Sequence, residues 1–134
     1  MWKRIDPTFG NQIRVNRGFY YHHGIYASDD CVIHFAPPGN AKSLDPKAAK
    51  IITTTLEEFL CGGVLEVRCY NDDEKMIIRK PSEIVNFALM HLGEGGYDIV
   101  NNNCEHFSNL CAFGEKKSSQ VDNVLSFILG GKRK

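Results

Sequence analysis

The chain lacks an excess of charge of either sign: Lys+Arg and Asp+Glu both number 16 in 134 residues. That balance argues against a nucleic-acid binder that relies on a general basic field. It has no CxxC pair. Its five cysteines, Cys31, Cys61, Cys69, Cys104 and Cys111, are odd in number and spaced without a framework. A full disulfide scaffold and a structural zinc site are therefore disfavoured, and a reducing compartment is expected. No apolar run approaches the ~20 residues that span a bilayer, and the start, Met1 to Pro7, lacks the apolar core of a signal peptide. Repeats and low-complexity linkers are also missing. What remains is an ordinary globular composition, 43% hydrophobic and 24% charged, expected to form one cytoplasmic domain over residues 1–134.

The first third reads as strands. Gln12 to Tyr20 follows a Gly10-Asn11 turn, and Tyr21–Ala27 and Cys31–Ala36 flank Ser28-Asp29-Asp30 as a hairpin that Pro37-Pro38-Gly39-Asn40 stops. Lys50 to Thr54 is β-branched and extended. Thr55-Leu56-Glu57-Glu58 is a capping-box pattern opening a short helix that Gly62-Gly63 ends. Val64 to Tyr70 alternates as a half-buried strand, with Leu65, Val67 and Cys69 on one face. The second half is helical. One helix runs from a Ser82 cap to Leu92, and another from about Cys104 to Gly114. A last one starts at Ser118 or Ser119 and passes through Val121, Leu125 and Ile128. Tyr97 to Val100 is a short extended piece. Strands first and helices later predict an α+β domain with a mostly antiparallel sheet.

Cys104 sits in Asn101-Asn102-Asn103-Cys104-Glu105-His106-Phe107, a polar run that opens an apolar-periodic segment. A cysteine in the first turn of a helix meets unpaired N–H groups and the positive end of the dipole, which favour the thiolate. The same N–H groups suit an oxyanion. His22 and His34 occupy the two arms of the hairpin. A three-residue loop, Ala27 to Asp29, sets them directly opposite each other on one face, about 5 Å apart at Cβ. A Cys–His–X site needs such a base and a third group to orient it. The structural readings stand beside this one. A lone cysteine at a helix start is usually structural, and hairpin histidines are usually surface or satisfied core. His23 faces the other side, His106 points away from Cys104 and reads as a packing or hydrogen-bonding residue, and His91 reads as helix surface. Cys31, Cys61, Cys69 and Cys111 fit core packing.

Asn103-Cys104-Glu105-His106-Phe107 resembles the NCEHF signature of the lecithin:retinol acyltransferase-like proteins, circularly permuted relatives of the NlpC-type papain-like cysteine enzymes. His22-His23-Gly24-Ile25-Tyr26 followed by Val32-Ile33-His34-Phe35-Ala36-Pro37-Pro38 resembles that family's two-histidine hairpin in order and spacing. Gly10-Asn11-Gln12-Ile13 and Ser118-Ser119-Gln120-Val121 extend the likeness, so it covers a core of about residues 10–125 and leaves 126–134 as a short tail. The resemblance implies an α+β, permuted papain-like domain whose antiparallel sheet packs a helix with the nucleophile cysteine at its N-terminus. It implies that Cys104 is that nucleophile, His22 the general base and acid, and His34 the orienting residue. The backbone N–H of Cys104 is then the oxyanion donor, with Asn103 and Tyr20 as further substrate or site-wall candidates.

The implied reaction makes an acyl-thioester on Cys104 from an acyl ester, for example a glycerophospholipid, and passes the acyl group to water, an amine or an alcohol. It implies no metal and no organic cofactor, and the charge balance gives no expectation of a nucleic-acid partner. Vertebrate members often end in a long apolar helix. Here Val121 to Lys134 is too short to span a bilayer. It reads first as a terminal helix packed on the domain, and second as a peripheral membrane contact through Leu125, Phe127, Ile128, Leu129 and the basic end. A cysteine peptidase or isopeptidase of the permuted papain type, and a non-catalytic interaction module, are the alternative functions.

Overall fold

The structure is a computed structural model that describes residues 1–36, 48–96 and 103–114. The Pro37–Asn40 stop, the Tyr97–Val100 piece, the final helix and the tail all lie outside the described residues. The chain runs β1 (Trp2–Lys3), β2 (Asn11–Asn16), β3 (Tyr21–Ser28), β4 (Cys31–Ala36), β5 (Lys50–Thr54), α1 (Leu56–Leu60), β6 (Leu65–Arg68), α2 (Asp72–Ile77), α3 (Pro81–Met90) and α4 (Cys104–Phe113). The six strands form one sheet in the order β1-β6-β2-β3-β4-β5, antiparallel at every pairing. With the helices, this is the expected α+β arrangement of antiparallel sheet and packed helices.

Alternation divides the core into two layers. Ile13, Val15, Val32 and Val67 lie under Phe59 of α1 on one face. Ile25, Ile33, Phe35 and Ile51 lie on the other, against Ile84, Val85 and Ala88 of α3 and Cys104, Phe107, Cys111 and Ala112 of α4. The helix starts follow local chemistry. Thr55 and Glu58 form the expected capping box of α1, and Asn71 and Glu74 form one for α2, a helix that no apolar periodicity predicts. For α3 the cap is Lys80 rather than Ser82, because Pro81 takes the first helical position, where its fixed φ is an advantage, and Glu83 accepts from the Lys80 N–H. The end of α1 is also displaced from the expected glycines. Cys61 itself turns left-handed at φ 47°, and its thiol donates to the Glu58 carbonyl, satisfying one of the open acceptors at the helix end.

The hairpin register corrects the expectation for His22 and His34. The turn is two residues, Asp29-Asp30, with Ser28 opposite Cys31 and a bulge between Tyr26 and Ser28. Beyond the bulge, His34 faces Gly24, not His22. The shift is by two residues, so the faces are preserved and the histidines become diagonal neighbours. Diagonal Cβ atoms stand about 7–8 Å apart, which two rings can bridge. Gly24 leaves the room for that crossing. A Cβ there would stand 2.8 Å from Phe59 Cε1, 3.1 Å from Val32 Cγ1 and 3.3 Å from His34 Cβ. Gly24→Val is therefore expected to lose at least about 1–3 kcal/mol of stability through overpacking, read as a lowered midpoint in urea unfolding. An unchanged midpoint would show that this layer is looser than the distances imply.

Candidate active site

The paired region between β3 and β4 ends at Gly24 and His34, while β2 pairs with β3 as far as Tyr21. The Tyr26 carbonyl accepts from Gly10 on the β2 side, so Tyr21, His23 and Ile25 turn their backbone groups towards β4. At Tyr21 and His23 no β4 partner is paired there, and the thiol of Cys104 occupies that split. Cys104 is the first residue of α4, and its Sγ donates to the Tyr21 carbonyl at 3.8 Å. That carbonyl belongs to the peptide preceding His22, which puts the sulfur within roughly 7 Å of the His22 Cα by covalent geometry. The His22 side chain leaves the strand on the α1 face and His23 on the α4 face.

His22 and His34 form a buried pair, with His22 Nε2 2.8 Å from His34 Nδ1. His34 Nε2 lies 2.9 Å from Thr54 Oγ1, and the Thr54 hydroxyl donates to the Thr55 carbonyl at 3.1 Å. This chain decides the tautomers. The Thr54 oxygen, its proton already spent, accepts from His34 Nε2–H. His34 Nδ1 is then an acceptor, and His22 Nε2 carries the proton that meets it. The basic nitrogen left on His22 is Nδ1. Phe59 packs against both rings, stacked on His22 at 5.1 Å and edge-on to His34 at 5.0 Å.

Burial sets the resting charges. It holds His22 well below the ordinary imidazole value, with further depression from His34 and Arg17. It brings His34 down to about 4, aided by Arg17, so both rings are neutral at pH 7. Burial also pushes the Cys104 thiol up to about 11, outweighing the N–H groups of His23, Glu105 and Cys104 that favour the thiolate. The expectation of a depressed thiol is thus overturned for the resting protein. The helix-start donors are present, but they act on a sulfur removed from water, and desolvation dominates.

Of the other predicted residues, Asn103 is the N-cap of α4. Its Oδ1 accepts from the His106 N–H at 2.9 Å, and His106 Nδ1 accepts from the Asn103 N–H at 3.1 Å. His106 is therefore a capping residue. Tyr20 is half exposed in the β2–β3 turn, and its carbonyl accepts from Arg17. His23 is buried edge-on to Trp2, and His91 lies outside the core, paired with Glu94. Sequence reasoning missed Thr54, Phe59 and Gly24. Thr54 is one of three consecutive threonines, and only the β4–β5 register selects it. It also missed what anchors α4. The Gln12 amide donates to Ser108 Oγ and Asn109 Oδ1, each at 2.8 Å, and its oxygen accepts from Tyr70 and Arg68. Ser108 lies one turn from Cys104 on the same side of the helix, so this buried network fixes the axial position of the thiol.

Comparisons with known proteins bear on this arrangement. The profile of the family described as Lecithin retinol acyltransferase matches residues 5–117. The chain is 31% identical over 131 residues to human (Homo sapiens) Phospholipase A and acyltransferase 5, covering 89% of this chain and 45% of that protein. It is 31% identical over 133 residues to mouse (Mus musculus) Phospholipase A and acyltransferase 3, covering 92% and 81%. It is 29% identical over 132 residues to rat (Rattus norvegicus) Lecithin retinol acyltransferase, covering 84% and 57%. The chain thus spans about half the length of the human and rat relatives.

Proposed function

The chain belongs to the lecithin retinol acyltransferase family, and from that premise we propose that it is a thiol acyltransferase or phospholipase A that carries its acyl group on Cys104. The observation that carries the reading is the buried His22–His34–Thr54 chain, which leaves Nδ1 as the free base on His22, the residue that follows the Tyr21 carbonyl to which the Cys104 thiol donates. The relatives' names support the reaction class: Phospholipase A and acyltransferase for one group, Lecithin retinol acyltransferase for another.

In this reading the substrate's ester displaces the thiol from the Tyr21 carbonyl. Cys104 gives its proton to His22 Nδ1 and attacks the carbonyl carbon. The His34 Nδ1 acceptor stabilises the imidazolium that forms, and the N–H groups at the start of α4 receive the oxyanion. His22 protonates the departing alcohol, leaving the acyl-thioester. Water, an amine or an alcohol then gives its proton to His22 and takes the acyl group. The high resting pKa of Cys104 fits such a sequence, because the thiolate is made only when an acceptor base and a substrate are both in place. The permuted papain-like description of the fold and a peripheral, cytoplasmic location belong to the same proposal. Among the described residues no helix is long and apolar enough to cross a membrane.

Intact-mass measurement after incubation with phosphatidylcholine, and separately with a short activated ester, tests the proposal. One acyl group added per chain is the expected result. Cleavage of a peptide or ubiquitin-type substrate with no lipid or ester adduct would move the assignment to the peptidase class.

A further inference from the structure

Arg17 has no part in the chemistry above, yet it is built into the site. It follows β2, its N–H donates to Tyr20 O at 2.8 Å, and its Nη2 donates to Phe59 O at 2.7 Å. Phe59 is the residue whose ring packs on His22 and His34. The guanidinium is thereby pinned on the same side of the sheet as the histidine pair, and its charge is felt by both rings. Among the described residues the ion pairs are Arg14–Glu66, Arg68–Glu74 and His91–Glu94, and no carboxylate neutralises Arg17. The carboxylate that does act on His34, Glu58, is taken up by the Thr55 N–H and hydroxyl.

Arg17 Nε is also buried without a partner, the one such side-chain atom among the described residues. An unmet buried N–H is destabilising, which calls for a reason. Arg17 as a whole is only half-buried, so the guanidinium is not sealed from solvent. A cation held by a carbonyl, unneutralised and beside the acyl-transfer residues, has the properties of an anion subsite: fixed, preorganised and charged in every state of the reaction.

We propose that Arg17 binds the phosphate of a phosphorylated acyl ester and so selects phosphate-bearing substrates over neutral esters. The inference rests on the acyl-transfer reading for its consequence, though the binding itself does not need turnover. A neutral glyceride offers Arg17 nothing to pair with, whereas a phosphodiester offers two acceptor oxygens to its fork. Arg17 is in these terms a specificity residue that acts on the part of the substrate remote from the reacting carbon.

Two measurements test this. Glycerol 3-phosphate, inorganic phosphate and glycerol are titrated separately into the protein while the His22 and His34 ring resonances are followed. Saturable shifts with glycerol 3-phosphate and none with glycerol are expected, weakened at least tenfold in Arg17→Gln and partly restored in Arg17→Lys. Tighter binding of glycerol 3-phosphate than of inorganic phosphate assigns the lipid headgroup as the source. Binding of inorganic phosphate alone overturns the substrate role, and shifts unaltered in Arg17→Gln overturn the site. In the second measurement, a short-chain phosphatidylcholine and the matching diacylglycerol are compared as monomers. The ratio of their kcat/KM values is expected to fall at least tenfold in Arg17→Gln, chiefly through KM. Equal losses on both substrates would make Arg17 a structural residue. Failure of every ester to acylate Cys104, with phosphate binding intact, would sink the acyl-transfer reading and leave the anion site standing.

Discussion

In Cys104→Ala the acyl adduct is expected to vanish and turnover to fall by at least about 10³-fold, as removal of a nucleophile from a catalytic set does in other enzymes. In Cys111→Ala the adduct is expected to persist. The contrast is informative because the two thiols lie on the same helix two turns apart, and so on the same side of it. Both are buried, and burial raises both. The difference lies in what surrounds each sulfur. Cys104 is the first helical residue and has backbone N–H groups of α4 and of His23 aimed at it. Cys111 is two turns in, fully buried among Ile84, Ala88 and their neighbours in the layer under β3 and β4. Its own N–H belongs to the helix interior, where no oxyanion can reach it. Loss of the Cys111 sulfur therefore affects packing, on the order of 1 kcal/mol for one small buried group, and leaves the chemistry in place. An adduct that survives in Cys104→Ala would remove the nucleophile assignment outright, and its loss in Cys111→Ala would transfer the assignment to the second thiol. Cys104→Ser separates the remaining case. It keeps a hydroxyl at the helix start but lacks an acidic enough proton for a neutral His22 to remove, so it is expected to be nearly as inactive as the alanine variant.

What was legible in the sequence follows a pattern. Elements specified by local chemistry were readable: the Thr55 capping box of α1, the Asn103–Cys104 start of α4 and its end at Gly114, and the alternation of β6. That His22 and His34 share a face was also readable, since an error of two residues in register leaves the faces alone. Their diagonal relation was not, because a bulge at Ala27 is invisible in the Ala27-Ser28-Asp29-Asp30 run. Thr54 and Arg17 were missed for a related reason. Each matters only through a partner distant in sequence, His34 for one and Phe59 for the other. The thiol's charge state was misjudged because local reasoning sees the N–H groups at a helix start and not the volume of protein laid over them. Short β1 and α2 were missed outright. Two residues, Trp2–Lys3, carry no period, and α2 buries no side chain, so no apolar stripe announces it.

Acid is expected to unfold this domain well before the carboxylates titrate. Burial depresses His22, His23 and His34 together, the latter two to about 4 from an ordinary 6.5. His23 and His34 are then neutral in the folded protein and protonated in the unfolded chain over the window between those values, and His22 is displaced in the same direction. There the unfolded state binds more protons, so the free energy of unfolding rises with pH. The stability these residues retain is complete above about pH 6.5 and is lost as pH falls below it, the loss levelling off near the folded-state values. At pH 5 each histidine that stays neutral in the fold accounts for a loss on the order of 2 kcal/mol. Set against a typical domain stability of about 5–15 kcal/mol, losses of that size at three sites are large. Urea midpoints measured from pH 7.5 to pH 5 are expected to fall continuously, and the slope is expected to flatten by about one third in His23→Phe, which removes one of the three titrating sites without touching the His22–His34 pair. A midpoint independent of pH across that range would mean that the histidines take up protons in the folded state, and with them the neutral His22 base that the thiol requires. The same window then predicts the catalytic behaviour. Because His22 Nδ1 is a base only while burial keeps the ring neutral, adduct formation and fold stability should decline together as the pH is lowered.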